Sequence, residues 1–271
     1  MQHKSICFIG GGNMTQAIVF GLLKQGYPAA HITVCDHNET KLALFAERGV
    51  QISTNNEQSV KQAEVVVLAV KPQAAEAACA ALSAVDFSDK LLISIMAAIS
   101  SQRLTALLPS AHNIVRVMPN TPALVSEGMA GLFAPTNVVA EFKQFAQELL
   151  SAVGKTCWVE QESDMHVVTA ASGSSPAYFF LFMEAMQQAL SNMGLTEQQA
   201  REFIQQSALG AAKMVVEKPQ FSFTTLRENV TSKGGTTAAA LAIFEQHQLA
   251  STVEQAMQAC VARSQEMEKL F

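Results

Sequence analysis

Apolar residues fall into two regimes along the chain. Up to about residue 160, short and mostly apolar runs recur: Ile6-Cys7-Phe8-Ile9, Ile32-Thr33-Val34-Cys35, Val65 through Val70, Leu91 through Ile95, Ile114-Val115-Arg116-Val117 and Thr156-Cys157-Trp158-Val159. Between them the spacing turns helical, at Ala17 to Leu23, Leu42 to Phe45, near Val60, Ala74 to Leu82, Ser100 to Leu108 and Glu141 to Leu150. Strands apolar at every position belong to a parallel sheet covered on both faces, and their alternation with helices predicts a doubly wound α/β domain of Rossmann type. Asn38 and Asn56 read as N-caps of two of its helices.

After the polar stretch Glu160 to Asp164 no strand pattern returns. The chain is therefore expected to divide into an α/β domain, 1–160, and an all-helical domain, 161–271. Ser175-Pro176 reads as N-cap and first residue of a helix that is apolar all round from Phe179 to Met183. Thr196 with Gln199 forms a capping box ahead of the stripe Ala200, Ile204, Ala208, Ala211 and Val215. A third helix should start in the loop at Gly235 and a fourth at Ser251, running toward Phe271. A helix apolar on every side should be buried on every side, and a bundle this small needs a second copy to do it, so the helical half is expected to form a homodimer.

Composition narrows the function classes. A formal net charge of -5, with Lys and Arg scattered, leaves no basic footprint for nucleic acid. No apolar run reaches the roughly 20 residues of a membrane span, and the apolar run after Met1 to Ser5 is too short for a signal sequence, so a cytoplasmic protein is expected. Cys7, Cys35, Cys79, Cys157 and Cys260 stand far apart in sequence with no Cys-x-x-Cys pair, which suits reduced core thiols. The six histidines show no ligand spacing, and no metal is expected.

Candidate chemistry gathers at two glycine turns. Gly10-x-Gly12-x-x-Thr15 lies between strand and helix, where glycines let a pyrophosphate approach a helix N-terminus, although Thr15 replaces the usual third glycine or alanine. Asp36, ending the second strand, suits adenosine ribose hydroxyls and by its charge favours NAD; it could also cap a turn. With no arginine after it, a 2′-phosphate would rely on His37, Asn38 or Lys41. The ends of three further strands, Ala69-Val70-Lys71-Pro72, Met96-Ala97-Ala98 and Met118-Pro119-Asn120-Thr121-Pro122, are expected to line the same crevice. The second turn, Ser232-Lys233-Gly234-Gly235-Thr236-Thr237, opens an alanine-rich helix and offers free N–H groups and hydroxyls to an anion. Taken alone, the string also reads as a capped turn between two helices.

The longer string from Leu226 through Val230 to Thr237, Ala240-Leu241 and Phe244-Glu245 resembles the signature of pyrroline-5-carboxylate reductases. The resemblance extends in order through Gly10-Gly11-Gly12-Asn13-Met14, Ala69 to Pro72, Val117 to Pro122 and Gly173-Ser174-Ser175-Pro176-Ala177-Tyr178. It implies reduction of 1-pyrroline-5-carboxylate, a small cyclic imine carboxylate, to proline with NADPH, or with either NADP or NAD as the cofactor. It also implies intertwined helical domains in a homodimer, often within larger assemblies of dimers. By the resemblance Thr237 lies against the ring nitrogen, Ser232, Lys233, Gly234, Gly235 and Thr236 bind substrate through the loop, and Asn56 sits beside the adenosine. The expected cofactor-binding residues are then Gly10, Gly12, Asn13, Met14, Asp36, Asn56, Ala69, Val70, Lys71, Pro72, Ala97, Pro119 and Asn120. Two alternatives stand beside this reading. A β-hydroxyacid dehydrogenase needs a base for an alcohol proton, generally a lysine on the first long helix of the helical domain, and Ser174 to Met193 contains none. A non-catalytic NAD(P)-sensing module would leave the loop at Ser232 to Thr237 without a purpose.

Overall fold

The computed structural model describes residues 2–271. Its first unit is built on β1 (Ile6–Ile9), α1 (Asn13–Lys24), β2 (Ile32–Cys35), α2 (Glu39–Ala46), β3 (Gln51–Ser53), α3 (Asn56–Gln62), β4 (Val65–Leu68), α4 (Ala75–Ala80), β5 (Leu91–Ser94), α5 (Ser101–Leu107), β6 (Asn113–Met118), β7 (Gly128–Phe133), α6 (Ala140–Ser151) and β8 (Gly154–Trp158). The eight strands form one sheet in the order β3-β2-β1-β4-β5-β6-β7-β8. All neighbours are parallel except β6 and β7. The apolar strands face two cores at once. Ile6, Phe8, Val65, Val67, Leu91 and Ile93 enter one cluster, whereas Cys7, Ile9, Val66, Leu68 and Leu92 enter the other. Successive residues of a strand point to opposite faces, so an unbroken apolar run is what a sheet covered on both sides requires.

Two strands escape the sequence pattern for physical reasons. β3 is a three-residue edge strand whose Ile52 is exposed, so no apolar run marks it. β7 reads Gly-Met-Ala-Gly-Leu-Phe, and Gly131 is required because a Cβ there would stand 2.3 Å from a Val168 methyl carbon. β4 ends at Leu68, short of the expected Val70. The expected cap of α3 also moves: Asn55 is the N-cap, its side chain accepting from the Gln58 N–H at 3.0 Å, and Asn56 is the first helical residue. Asn38 caps α2 as expected, accepting from the Lys41 N–H.

Downstream lie α7 (Asp164–Val168), a π-helical turn at Thr169–Gly173, α8 (Ser175–Asn192), α9 (Glu197–Glu217), α10 (Phe223–Asn229), α11 (Thr236–Gln246) and α12 (Leu249–Glu268). The Thr196 capping box is present. Ser175 is itself helical rather than a cap, and the last helix starts at Leu249 instead of Ser251. By contact, the chain forms one unit of residues 1–176 with 259–271 and a second of 177–258. This differs from a division at 160, because Glu162, His166, Ser264 and Glu268 make their polar contacts with the sheet's unit or with one another. Nor is α8 buried on every side within the single chain: Phe179, Phe180 and Leu181 are each more than 60% exposed, at 65%, 61% and 66%. Such a surface on one helix is the mark of an interface.

Candidate active site

In the first unit β1 gives way to Gly10, which has φ +106°, donates its N–H to the Cys35 carbonyl at 2.8 Å, and sits where a Cβ would lie 2.7 Å from the Ala69 carbonyl oxygen. Only glycine fits. The Thr15 hydroxyl donates to the Gly10 carbonyl at 2.6 Å, and Thr15 is fully buried. The residue that departs from the usual fingerprint therefore closes the turn. Gly12 is the N-cap of α1, with φ -74° and no side-chain cap, and a Cβ built on it meets nothing within 4 Å. Open space at that point, with the first N–H groups of α1 lacking intrahelical partners, fits a pyrophosphate. Asn13 is exposed and Met14 half-buried beside it.

Asp36 braces this turn. Its Oδ2 accepts from the Gly11 N–H at 2.8 Å, its Oδ1 accepts from the Asn38 N–H at 2.9 Å, and Lys41 Nζ stands 3.4 Å from Oδ2. Burial pushes the carboxyl group up, but the two N–H groups and the Lys41 charge outweigh it and hold the group below its usual range. The carboxylate expected to meet a ribose thus also holds the turn and the start of α2 in place. Asn56 stands half-buried in the first turn of α3, after β3.

Beyond β4, the Ala69 N–H bonds the Ile9 carbonyl, Val70 lies against the Gly10 turn, and exposed Lys71 leads into a turn opened by Pro72. Ala97 and Ala98 follow β5, and Ala98 adopts φ +57°. After β6, Pro119 and Asn120 are buried. The Asn120 side chain is already committed: Nδ2 donates to the Ser172 carbonyl at 3.1 Å and Oδ1 accepts from the Met129 N–H at 2.8 Å. It joins β6, β7 and the π turn.

A charged cluster that sequence reasoning missed stands beside these strand ends. Arg116, 4% exposed, reaches Glu162 at 2.7 Å and Glu268 at 3.4 Å. Glu162 accepts from both the N–H and the hydroxyl of Ser101, each at 2.6 Å, while His166 meets Glu268 at 3.3 Å and the Ser264 hydroxyl at 2.9 Å. Burial raises the Glu162 carboxyl group, but the Ser101 donors and Arg116 more than compensate and hold it below the ordinary range. The available signal was one charge inside the apolar run Ile114 to Val117. Cys7 and Cys35, distant in sequence, also meet across β1 and β2, with sulfurs 3.8 Å apart; both are free thiols.

In the second unit α10 ends with the Thr231 hydroxyl bonded to the Arg227 carbonyl. Ser232 to Gly235 then form a turn closed by the Gly235 N–H on the Ser232 carbonyl at 3.0 Å, with Gly234 at φ +72°. Gly235 is the N-cap of α11, with φ -80° and no side-chain cap. Thr236 and Thr237 are the first two helical residues, so neither is the cap; Thr237 is half-buried, whereas Ser232, Lys233 and Thr236 are exposed. Among the described residues no group of three or more His, Cys, Asp or Glu is placed to hold a metal ion, and no helix is long and apolar enough to cross a membrane.

The Rossmann-type strand order with a glycine turn at its centre, joined to a helical domain with exposed apolar helices, defines an NAD(P)-dependent oxidoreductase with a helical dimerisation domain. Residues 162–267 match the family model for pyrroline-5-carboxylate reductase dimerisation, and residues 5–98 match that of the NADP oxidoreductase, coenzyme F420-dependent, family. The pyrroline-5-carboxylate reductase of Haemophilus influenzae is 67% identical over 271 residues, covering 100% of both chains. Among solved structures, a pyrroline-5-carboxylate reductase from Coxiella burnetii superposes with a TM-score of 0.92 at 40% identity, over 98% of this chain and 99% of that one. The Plasmodium falciparum pyrroline carboxylate reductase with NADP bound gives 0.87 at 28% identity, over 99% of each. The chain belongs to the pyrroline-5-carboxylate reductase family, oxidoreductases of the final step of proline biosynthesis, and its helical region is that family's dimerisation domain, which fits a homo-oligomer.

Proposed function

We propose that the chain reduces 1-pyrroline-5-carboxylate to L-proline with NADPH as hydride donor, NADH also being accepted, and that Thr237 is its catalytic residue. The bound cofactor supplies the hydride that the imine carbon receives. Gly12, Asn13 and Met14 offer their N–H groups to the pyrophosphate on the turn that Gly10 makes possible, its own N–H being held by Cys35, while Asp36 and Asn56 bound the adenosine end. Ala69 to Pro72, Ala97, Pro119 and Asn120 shape the wall. The N–H groups of Ser232, Lys233, Gly234 and Thr236 receive the substrate carboxylate, that of Gly235 closing the turn on the Ser232 carbonyl, and Lys233 adds positive charge nearby. The Thr237 hydroxyl hydrogen-bonds the ring nitrogen, orients it, and passes on a proton from water as the carbon is reduced. Threonine is too weak an acid to do this unaided, so orientation is its main contribution.

The observation that carries this reading is the open space over Gly12 at an uncapped helix start, in a chain of this family. NADP is favoured because a relative of matching fold is described with it bound. The exposed apolar face of α8 supports a homodimer as the assembled unit, from which any larger assembly is built. A cytoplasmic location suits an enzyme fed by the dinucleotide pool. The test follows cofactor oxidation with pyrroline-5-carboxylate against a panel of 3-hydroxy acids in the reverse direction. Turnover of the cyclic imine is expected; turnover of the hydroxy acids alone would overturn the assignment. Light scattering should give a dimer or a multiple of it, and a monomer at micromolar concentration would exclude the interface.

A further inference from the structure

The charge at the end of β2 presents a conflict. A carboxylate there repels a 2′-phosphate, yet the family reading points to NADP. Three donors already converge on Asp36: the N–H of Gly11, the N–H of Asn38, and Lys41 Nζ. The first two are backbone groups, fixed by the glycine turn and by the start of α2. Lys41 is different. Its backbone is held by the Asn38 cap, but its side chain is 45% exposed and ends in a single mobile charge, against 15% exposure for Asp36. The arginine of this region is engaged elsewhere, Arg48 lying 4.1 Å over the Phe20 ring and bonding the Leu44 carbonyl.

Resting on the dinucleotide reading above, we propose that Lys41 sets cofactor choice by exchanging partners: it pairs with Asp36 when the ribose carries a free 2′-hydroxyl and turns to the 2′-phosphate when NADPH binds. The exchange is feasible because Asp36 keeps two N–H donors after Lys41 leaves, so the carboxylate is never left bare. With NADH, Asp36 still has acceptor capacity for a ribose hydroxyl, since a carboxylate offers about four lone-pair sites. One pocket thereby takes both dinucleotides without an arginine.

The experiment measures dissociation constants of NADPH and NADH by nucleotide fluorescence for the wild-type chain and for Lys41→Met, with 2′,5′-ADP and AMP as competitors. Lys41→Met should weaken NADPH by about 10-fold, the worth of one charge-assisted phosphate contact, while NADH moves by less than about 2-fold. The extra affinity of 2′,5′-ADP over AMP should vanish in step. Asp36→Asn, which gives up one of the two N–H contacts to the carboxylate, should weaken both dinucleotides but NADH by more, so that NADPH gains relative to NADH. An equal change in both dinucleotides on Lys41→Met, or none in either, overturns the exchange while leaving the dinucleotide reading intact. A wild-type chain that binds neither dinucleotide instead overturns that reading itself, and this inference with it.

Discussion

Gly12 and Gly235 open their helices with almost the same backbone, φ -74° and ψ -178° in one, φ -80° and ψ 175° in the other, and neither helix has a side-chain cap. Each follows a left-handed glycine, Gly10 at two residues' distance and Gly234 next to it. The surroundings differ. The first turn is tied to β2 through Cys35 and Asp36, packed against Ala69, and closed by buried Thr15, whereas the second is held by its own Ser232 and is largely exposed in the single chain. Local chain chemistry therefore suffices to make an uncapped glycine helix start twice, and tertiary packing decides how firmly each is held.

The largest expected effect separates ligand from scaffold at the first turn. Because a Cβ on Gly12 meets nothing and its φ is ordinary, Gly12→Val should fold normally yet weaken dinucleotide binding by about 10³-fold, by occupying the space the pyrophosphate needs. Titration by nucleotide fluorescence beside circular dichroism decides this; unchanged affinity in a folded variant would make the glycine merely structural.

Alanine at the two left-handed glycines measures the difference in packing directly. Gly10→Ala adds a backbone clash to an unfavourable φ and should cost about 3 kcal/mol, whereas Gly234→Ala, with open space around it, should cost about 1 kcal/mol. Equal losses in urea unfolding would mean that the two turns are held alike.

At the second turn the expected effect lies in turnover rather than stability. Thr237→Ala should lower kcat about 10²-fold, at the modest end of proton-transfer effects, with cofactor affinity unchanged and Thr237→Ser retaining much of the rate. A parental rate in the alanine variant would leave the loop with carboxylate binding alone.

A stability effect smaller than that at Gly10 concerns the charged cluster that belongs to the first unit. Glu162 has a lowered folded-state pKa, so its contribution to stability is complete above the unfolded value near 4.3 and is lost as pH falls through the folded value. Glu162→Gln should lower stability near neutrality by about 2 kcal/mol, Glu268 still partnering Arg116, and should flatten the loss of stability below about pH 4.5. Identical acid unfolding curves for the two proteins would show the cluster to be neutral in folding.

Much of the candidate site was legible because its parts are contiguous. Gly10 to Met14 and Ser232 to Thr237 are unbroken strings whose chemistry is written in neighbouring residues, and Asp36 follows a strand that hydrophobicity alone marks. The roles of Thr15 and Asn120 were not legible, because a hydroxyl or an amide reads as surface or ligand chemistry until its partner is known. Asn56 shows the limit of a cap assignment: two adjacent asparagines satisfy the same rule, and only the backbone places Asn55 at the cap.

The sequence by itself determined the alternation of strands and helices, the two-sided burial of the central strands, both glycine turns and the family. These depend on periodicity and on short-range sterics, which act between residues a few positions apart. Tertiary structure decided the antiparallel insertion of β7, the meeting of Cys7 with Cys35, the brace of Asp36 on Gly11, and the cluster in which Arg116 finds Glu162 and Glu268, 46 and 152 positions away. Those pairings depend on which strands become neighbours and which chain end returns to the sheet, and the gain that fixes them is the shared burial of many side chains rather than any local preference.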